Sequence, residues 1–220
     1  MHPRDDALLH VRAGGRQVEG RWLWRGVDLR LRAGERVALT GPSGSGKTLL
    51  LRALAGLDAL DEGTLTLRGT PSERWAMPSY RSHVGYLPQR PVMVEGSVED
   101  NLRLPFTLGV HAERRYDRTR VRAAVDRLGR GERFLAQDAL ELSGGEQQLV
   151  ALVQRLQLEP TVLLLDEPSA SLDDDGAAAL ETLVDDWRGA AAERAVLWTS
   201  HRSEQVDRVS DRAVRLEASA

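Results

Sequence analysis

Cysteine is absent from the 220 residues. That excludes disulfides and thiolate metal sites, and it fits a reducing, cytosolic location. No apolar run approaches the ~20 residues that span a bilayer, and residues 1–12 show no apolar stretch leading to a cleavage-like site. Neither a membrane span nor a signal peptide is therefore expected. The formal charge of −3 provides no basic excess for nucleic acid or anionic lipid, and no nucleic-acid partner is expected. Internal repeats and disordered linkers are missing as well. Lysine is nearly so: Lys47 stands alone, and every other member of the 30 Lys+Arg is arginine. With Ala and Gly also abundant, this bias reads as codon usage, yet position 47 has kept its lysine. At this length, one α/β domain with a smaller insert and a substantial core is expected.

Lys47 sits in the stretch around which the chain is organised. An apolar run at residues 37–39 leads through Thr40 into Gly41, Pro42, Ser43, Gly44, Ser45, Gly46, Lys47 and Thr48, and a Leu-rich helical segment follows. This is GxxxxGK[ST] between a buried strand and a helix start. The glycines let the backbone turn its N–H groups toward one anion, and the helix terminus adds positive field. Lys47 then reaches the outer phosphates, and the Thr48 hydroxyl helps hold Mg²⁺. The chain is expected to bind a nucleoside triphosphate.

Strands are expected at residues 8–11, 27–31, 36–40, 84–87, 161–166, 195–199 and 213–216, with a hairpin edge at 62–69. Residues 71–81 read as a short helix, with Trp75 packed on the sheet. Ser97 and Asp100 form a capping box that opens a helix to Leu104, and residues 105–111 read as a connector. Residues 112–128 read as a one-faced surface helix. Ser143 and Glu146 form a second capping box, opening a helix to about Leu158. Further helices are expected at 174–188 and 203–206. The pattern is one α/β core interrupted by a helical insert at residues 90–157.

Four further sites carry chemistry. Asp166 ends a buried strand, where open α/β sheets bind ligands, and can hold a Mg²⁺ shell through water. Glu167, beside it, can orient or deprotonate a water attacking the γ-phosphate. Gln89 ends a strand; its amide could ligate the metal or that water, or serve only in a turn. His201 follows a strand and can hydrogen-bond the γ-phosphate. In Leu142-Ser143-Gly144-Gly145-Glu146-Gln147-Gln148, a glycine pair just inside a capped helix start is costly. It makes sense if the terminus approaches an anion without a side chain in the way. The phosphate loop already takes one set of phosphates, so this second terminus implies a second face of the same nucleotide or a second molecule.

Taken in order, these motifs resemble those of the ATP-binding subunit of an ATP-binding cassette (ABC) transporter: phosphate loop 41–48, Gln89, signature 142–148, acidic strand 162–167, Ser171-Leu172-Asp173 and His201. The resemblance covers nearly the whole chain. It implies a P-loop NTPase fold over residues 1–220, with a small N-terminal antiparallel β subdomain and the insert at 90–157. Implied also are ATP and Mg²⁺, with Thr48, Gln89 and Asp166 at the metal and Glu167, His201, Gln89 and Lys47 as catalytic groups. The family implies a head-to-tail homodimer in which Ser143, Gly144, Gly145 and Glu146 of one subunit close over the ATP of the other. It implies an integral membrane permease whose coupling helix enters the groove near Gln89, and a peripheral place on the cytoplasmic membrane face. Residues 86–91, 96–102 and 196–201 look like those of iron- or metal-exporter ATPases. Importers, lipoprotein or peptide exporters and non-transport cassettes share the same motifs. Two departures stand out. Relatives stack adenine on an aromatic residue where Val18 or Glu19 falls here, leaving Trp22 as the candidate base contact. Leu49 replaces a common hydroxyl.

Overall fold

A computed structural model describes residues 7–217; the first six residues of the segment screened for a signal peptide lie outside it. β1 (Ala7–Val18) and β2 (Arg21–Arg32) form a long antiparallel hairpin. Glu19 and Gly20, at φ 51° and 77°, close it as the two-residue turn that matches strand twist. β4 (Glu62–Leu67) pairs with the other edge of β1, and β5 (Thr70–Pro71) follows it, in the order β2-β1-β4-β5. Both hairpin strands outrun the expected ones. Ala13 at φ 49° and the Gly14-Gly15 pair shift the register, and so erase the period-two pattern there.

The second sheet is parallel, in the order β6-β7-β8-β3-β9. Its strands are β3 (Arg36–Thr40), β6 (Val84–Leu87), β7 (Val162–Asp166), β8 (Ala195–Thr199) and β9 (Arg212–Arg215). Every residue of β7 and β8 is buried, as continuous apolar runs require when both faces are covered. Alternation divides them between two cores. Leu163, Leu165, Val196 and Trp198 pack with α5 (Gly144–Leu156) and α6 (Asp174–Gly189). Val162, Leu164, Ala195 and Leu197 join Trp24, Val37, Leu39 and, from α1 (Lys47–Leu54), Leu50, Leu51 and Leu54. Because the strands run parallel, their C-terminal ends, with Thr40, Leu87, Asp166 and Thr199, share one edge. Arginine–carboxylate pairs such as Arg25–Glu62, half-exposed on both sides, are screened by solvent and stabilise the fold little. Truncating one buried leucine costs about 2–5 kcal/mol. The two cores, not the ion pairs, hold this edge.

α2 (Met77–His83) precedes β6, and between β6 and β7 the chain is helical, with α3 (Val98–Arg103), α4 (Arg118–Arg127) and α5. α7 (Ser203–Val209) joins β8 to β9. Two helix expectations need correction. The one at residues 71–81 divides into a 3-10 turn, Ser72–Arg74, and α2, because Trp75 and Ala76 are extended ahead of Pro78. Half-buried Trp75 meets Tyr80 and His83 edge-on. The one at 112–128 begins only at Arg118, where Asp117 caps it by accepting from the N–H of Arg120. His111 and Ala112 instead close tight turns onto Leu108 and Gly109.

The end of α1 that lies away from the loop is tied down by Tyr80, a fully buried ring whose hydroxyl donates to the Leu54 carbonyl at 2.7 Å. Tyr80→Phe should lower stability by about 1–2 kcal/mol in urea denaturation with an unchanged m-value. An unchanged midpoint would show that the hydroxyl contributes nothing.

Candidate functional site

β3 ends at Thr40, and the loop that follows wraps the start of α1. Gly46 is the N-cap of α1 at φ 88°, and no side chain caps the helix. A Cβ at Gly46 would lie 2.4 Å from Leu23 Cδ2 and 2.8 Å from Trp24 Nε1, so space as well as conformation requires glycine. The first N–H groups of α1 therefore point outward without a competing side chain, as an anion site needs. Lys47 is buried over the loop, its Nζ donating to the carbonyls of Gly41 at 2.9 Å and Pro42 at 3.0 Å. Ser45 is buried too, and its hydroxyl is without a protein partner. Pro42, Ser43, Gly44 and Thr48 are exposed; Gly41 and Leu49 are half-buried.

A cleft of about 410 Å³ opens over this loop, lined by Ser43, Gly44 and Gly46 to Leu49, and by Leu23, Gln89, Glu167 and His201. The fold thus brings Gln89, Glu167 and His201 to the phosphate loop from three separate strand ends. Trp22 is not at this cleft. Its ring lies against Gly15, where a Cβ would come within 2.7 Å of Cζ3, and under the Arg25 guanidinium at 4.6 Å. Glu62 holds that guanidinium with two bonds of 2.8 Å. Adjacent strand residues face opposite ways, so Leu23 takes the place at the cleft expected of Trp22.

At the acidic end, Asp166 is buried and both of its oxygens are engaged. Oδ1 accepts from the Thr199 hydroxyl at 3.1 Å and Oδ2 from the Tyr86 hydroxyl at 3.2 Å. Burial, reinforced by the charge of Asp166, pushes the Tyr86 phenol above its ordinary pKa, so it remains a donor. Glu167 turns the chain at φ 47°, a conformation that costs a non-glycine residue on the order of 1 kcal/mol. Its N–H donates to Thr199 Oγ1 at 2.9 Å. The turn swings the carboxylate outward: Oε1 lies 2.6 Å from His201 Nε2, and Oε2 accepts from Gln89 Nε2 at 2.8 Å.

Thr48, Gln89 and Asp166 offer hydroxyl, amide and carboxylate oxygens. Among the described residues no group of three or more His, Cys, Asp or Glu forms a metal cage. A donor set this sparse fits Mg²⁺, which keeps several waters and shares substrate phosphates.

The signature residues do not line their own chain's cleft. Ser143 and Gly144 are exposed at the start of α5. The capping box is complete: the Ser143 hydroxyl donates to Glu146 at 2.7 Å, and its N–H does so at 3.0 Å. These bonds hold the Glu146 carboxyl below the usual range. The two glycines differ. A Cβ on Gly145 would lie 2.7 Å from the Ser171 carbonyl oxygen, whereas one on Gly144 would meet nothing closer than 3.8 Å. Packing within the chain accounts for Gly145, and only Gly144 is left for an outside ligand. Gln148, one turn on, is buried and donates to the Pro88 carbonyl at 3.3 Å, tying α5 to the strand end that carries Gln89. Sequence reasoning gave no role to Leu23, which lies outside the expected strands, or to Thr199, whose signal is its place at the end of one.

The family model for the ABC transporter matches residues 24–170. The nickel import ATP-binding protein NikO of Rhodobacter capsulatus is 38% identical over 205 residues, spanning 88% of this chain and 79% of the relative. The probable iron export ATP-binding protein FetA of Escherichia coli is 32% identical over 196 residues, spanning 88% and 84%. Among solved structures, a dimeric ATP-binding cassette in a post-hydrolysis state bound to ADP and Pi superposes with a TM-score of 0.82 at 23% identity, covering 95% of this chain and 94% of that one.

The glycine asymmetry is directly testable. Gly145→Ala should cost about 1–3 kcal/mol of stability by forcing the Ser171 backbone aside, whereas Gly144→Ala should stay within about 0.5 kcal/mol of the parent. Equal losses in thermal or urea unfolding would show that the contact at Ser171 is not what demands glycine.

Proposed function

The chain belongs to the ABC transporter family, and from that premise we propose that its ATP hydrolysis drives metal-cation export through a separate membrane permease. As a member of the family it binds ATP, is an ATPase and powers transport. One observation carries the assignment of residues: the Glu167 carboxylate is held between Gln89 and His201 at the mouth of the phosphate-loop cleft.

In this reading the outward N–H groups of α1 and the Lys47 ammonium hold the phosphates, and Leu23 offers the base an apolar contact. Glu167 orients the attacking water and takes its proton as the water oxygen bonds to the γ-phosphorus. The bond to the bridging oxygen breaks, and ADP leaves with that electron pair. Gln89 and His201 fix the Glu167 carboxylate, and His201 hydrogen-bonds the γ-phosphate. Thr48, Gln89 and Asp166 are the residues that would hold Mg²⁺, which neutralises phosphate charge when bound.

Exposed Ser143 and Gly144, turned away from their own cleft, support a head-to-tail dimer in which residues 90–157 carry them over a second copy's ATP. Exposed apolar side chains after Gln89 and α3, namely Val92, Leu104, Leu108 and Val110, support a docking surface for a coupling helix of the permease. Among the described residues no helix is long and apolar enough to cross a membrane, and the permease would hold the chain at the cytoplasmic membrane face. The direction of transport has a second reading. The nickel-import relative is 38% identical against 32% for the iron-export relative, and it favours import.

Two measurements test this. Ser143→Arg loses a cap worth about 1 kcal/mol, so the chain should stay folded and bind ATP, but turnover should fall at least about tenfold. Parental turnover would rule out the sandwich. Inside-out vesicles carrying the chain and the permease encoded beside it should accumulate ferrous or nickel ions on ATP addition. Accumulation only in right-side-out vesicles loaded with ATP would establish import, and no metal movement in either would remove metal as cargo.

A further inference from the structure

Thr199 ends β8 with no exposed surface, directly across the ladder from Asp166. Its hydroxyl stands at a branch point. Oγ1 accepts the N–H of Glu167 at 2.9 Å and lies 3.1 Å from Asp166 Oδ1 and 3.3 Å from the Leu165 carbonyl. The hydroxyl has one proton, and the carboxylate is both the nearer and the charged acceptor, so the hydroxyl donates to Asp166 Oδ1. Its lone pair then serves Glu167. A single side chain thereby satisfies the backbone of one acidic residue and the carboxylate of the other.

The backbone bond is made where the chain is strained. Glu167 occupies the left-handed region without being glycine, and such a conformation persists only where its surroundings hold it. Without a partner, the buried N–H would favour a relaxed backbone, and the carboxylate would leave the gap between Gln89 and His201. Glycine would adopt the conformation freely but has no carboxylate.

We propose that Thr199 is a positioning residue for hydrolysis, holding Glu167 in its outward turn and Asp166 in its plane while touching no part of the nucleotide. The proposal rests on the reading of Glu167 given above. Its effect should fall on turnover and not on ATP affinity, because the phosphate loop and Lys47 are anchored on α1 and β3.

The test compares Thr199→Val, which keeps the shape and loses both hydrogen bonds, with Thr199→Ser, which keeps both. Glu167→Gln serves as the reference, and turnover and equilibrium ATP binding are measured on the intact chain. Thr199→Val should lower kcat by about tenfold, with ATP affinity within about twofold of the parent, and Thr199→Ser should recover most of the loss. Parental kcat in Thr199→Val overturns the proposal. So does a loss of ATP affinity that matches the loss of turnover, since that places Thr199 in nucleotide binding. A Thr199→Ser protein as slow as Thr199→Val would reduce the residue to packing. If Glu167→Gln itself hydrolyses ATP at the parental rate, the reading of Glu167 fails first. If Glu167→Gln is inactive and Thr199→Val is not, only the role of Thr199 fails.

Discussion

Parallel pairing of β6, β7 and β8 is the constraint on which the acidic end of the site depends. β7 lies between the other two, and each neighbour supplies one partner to each of the two carboxylates. From the β6 side, Tyr86 bonds Asp166, and Gln89, just past the strand, bonds Glu167. From the β8 side, Thr199 bonds Asp166, and His201, just past that strand, meets Glu167. A slip of one residue in either ladder would turn these side chains to the opposite face. The leucines of β7 that lead directly into Asp166 are buried on both faces, so packing from either side holds the strand in place.

A second constraint links the helical stretch to the same edge. Gln148 of α5 donates to the carbonyl that immediately precedes Gln89, and Gly145 lies against the Ser171 backbone in the loop that follows Glu167. The start of α5 is thus coupled both to the β6 end and to the β7 end. In consequence, one glycine of the signature answers to its own chain, while the residues that face outward, Ser143 and Gly144, remain free to meet another molecule.

Much of this was legible in the residues alone, for physical reasons. The buried strands of the parallel sheet are continuous apolar runs, the capping boxes at Ser97 and Ser143 state where helices begin, and the phosphate loop has few ways to be built. What escaped the sequence was whatever depends on direction across a strand. Trp22 and Leu23 are neighbours, and only the Arg25–Glu62 pair and the space above Gly15 decide which of them meets the cleft. Thr199 reads as one more β-branched strand residue; its hydroxyl matters only because β8 places it opposite Asp166. α4 starts later than composition suggests: the arginine-rich stretch before it suits a surface helix, but tight turns at His111 and Ala112 and the cap at Asp117 override that preference.

The solitary lysine has a chemical corollary. Arginine side chains stay charged throughout the range in which proteins remain folded, so the cationic surface of this chain does not change with alkaline pH. Its one side-chain ammonium is set aside in the phosphate loop, 6% exposed and engaged by two carbonyls. Reagents that acylate ε-amines find no lysine on the outer surface. Modification of the lysine side chain becomes a readout of a single place in the molecule, where nucleotide and reagent compete for the same nitrogen.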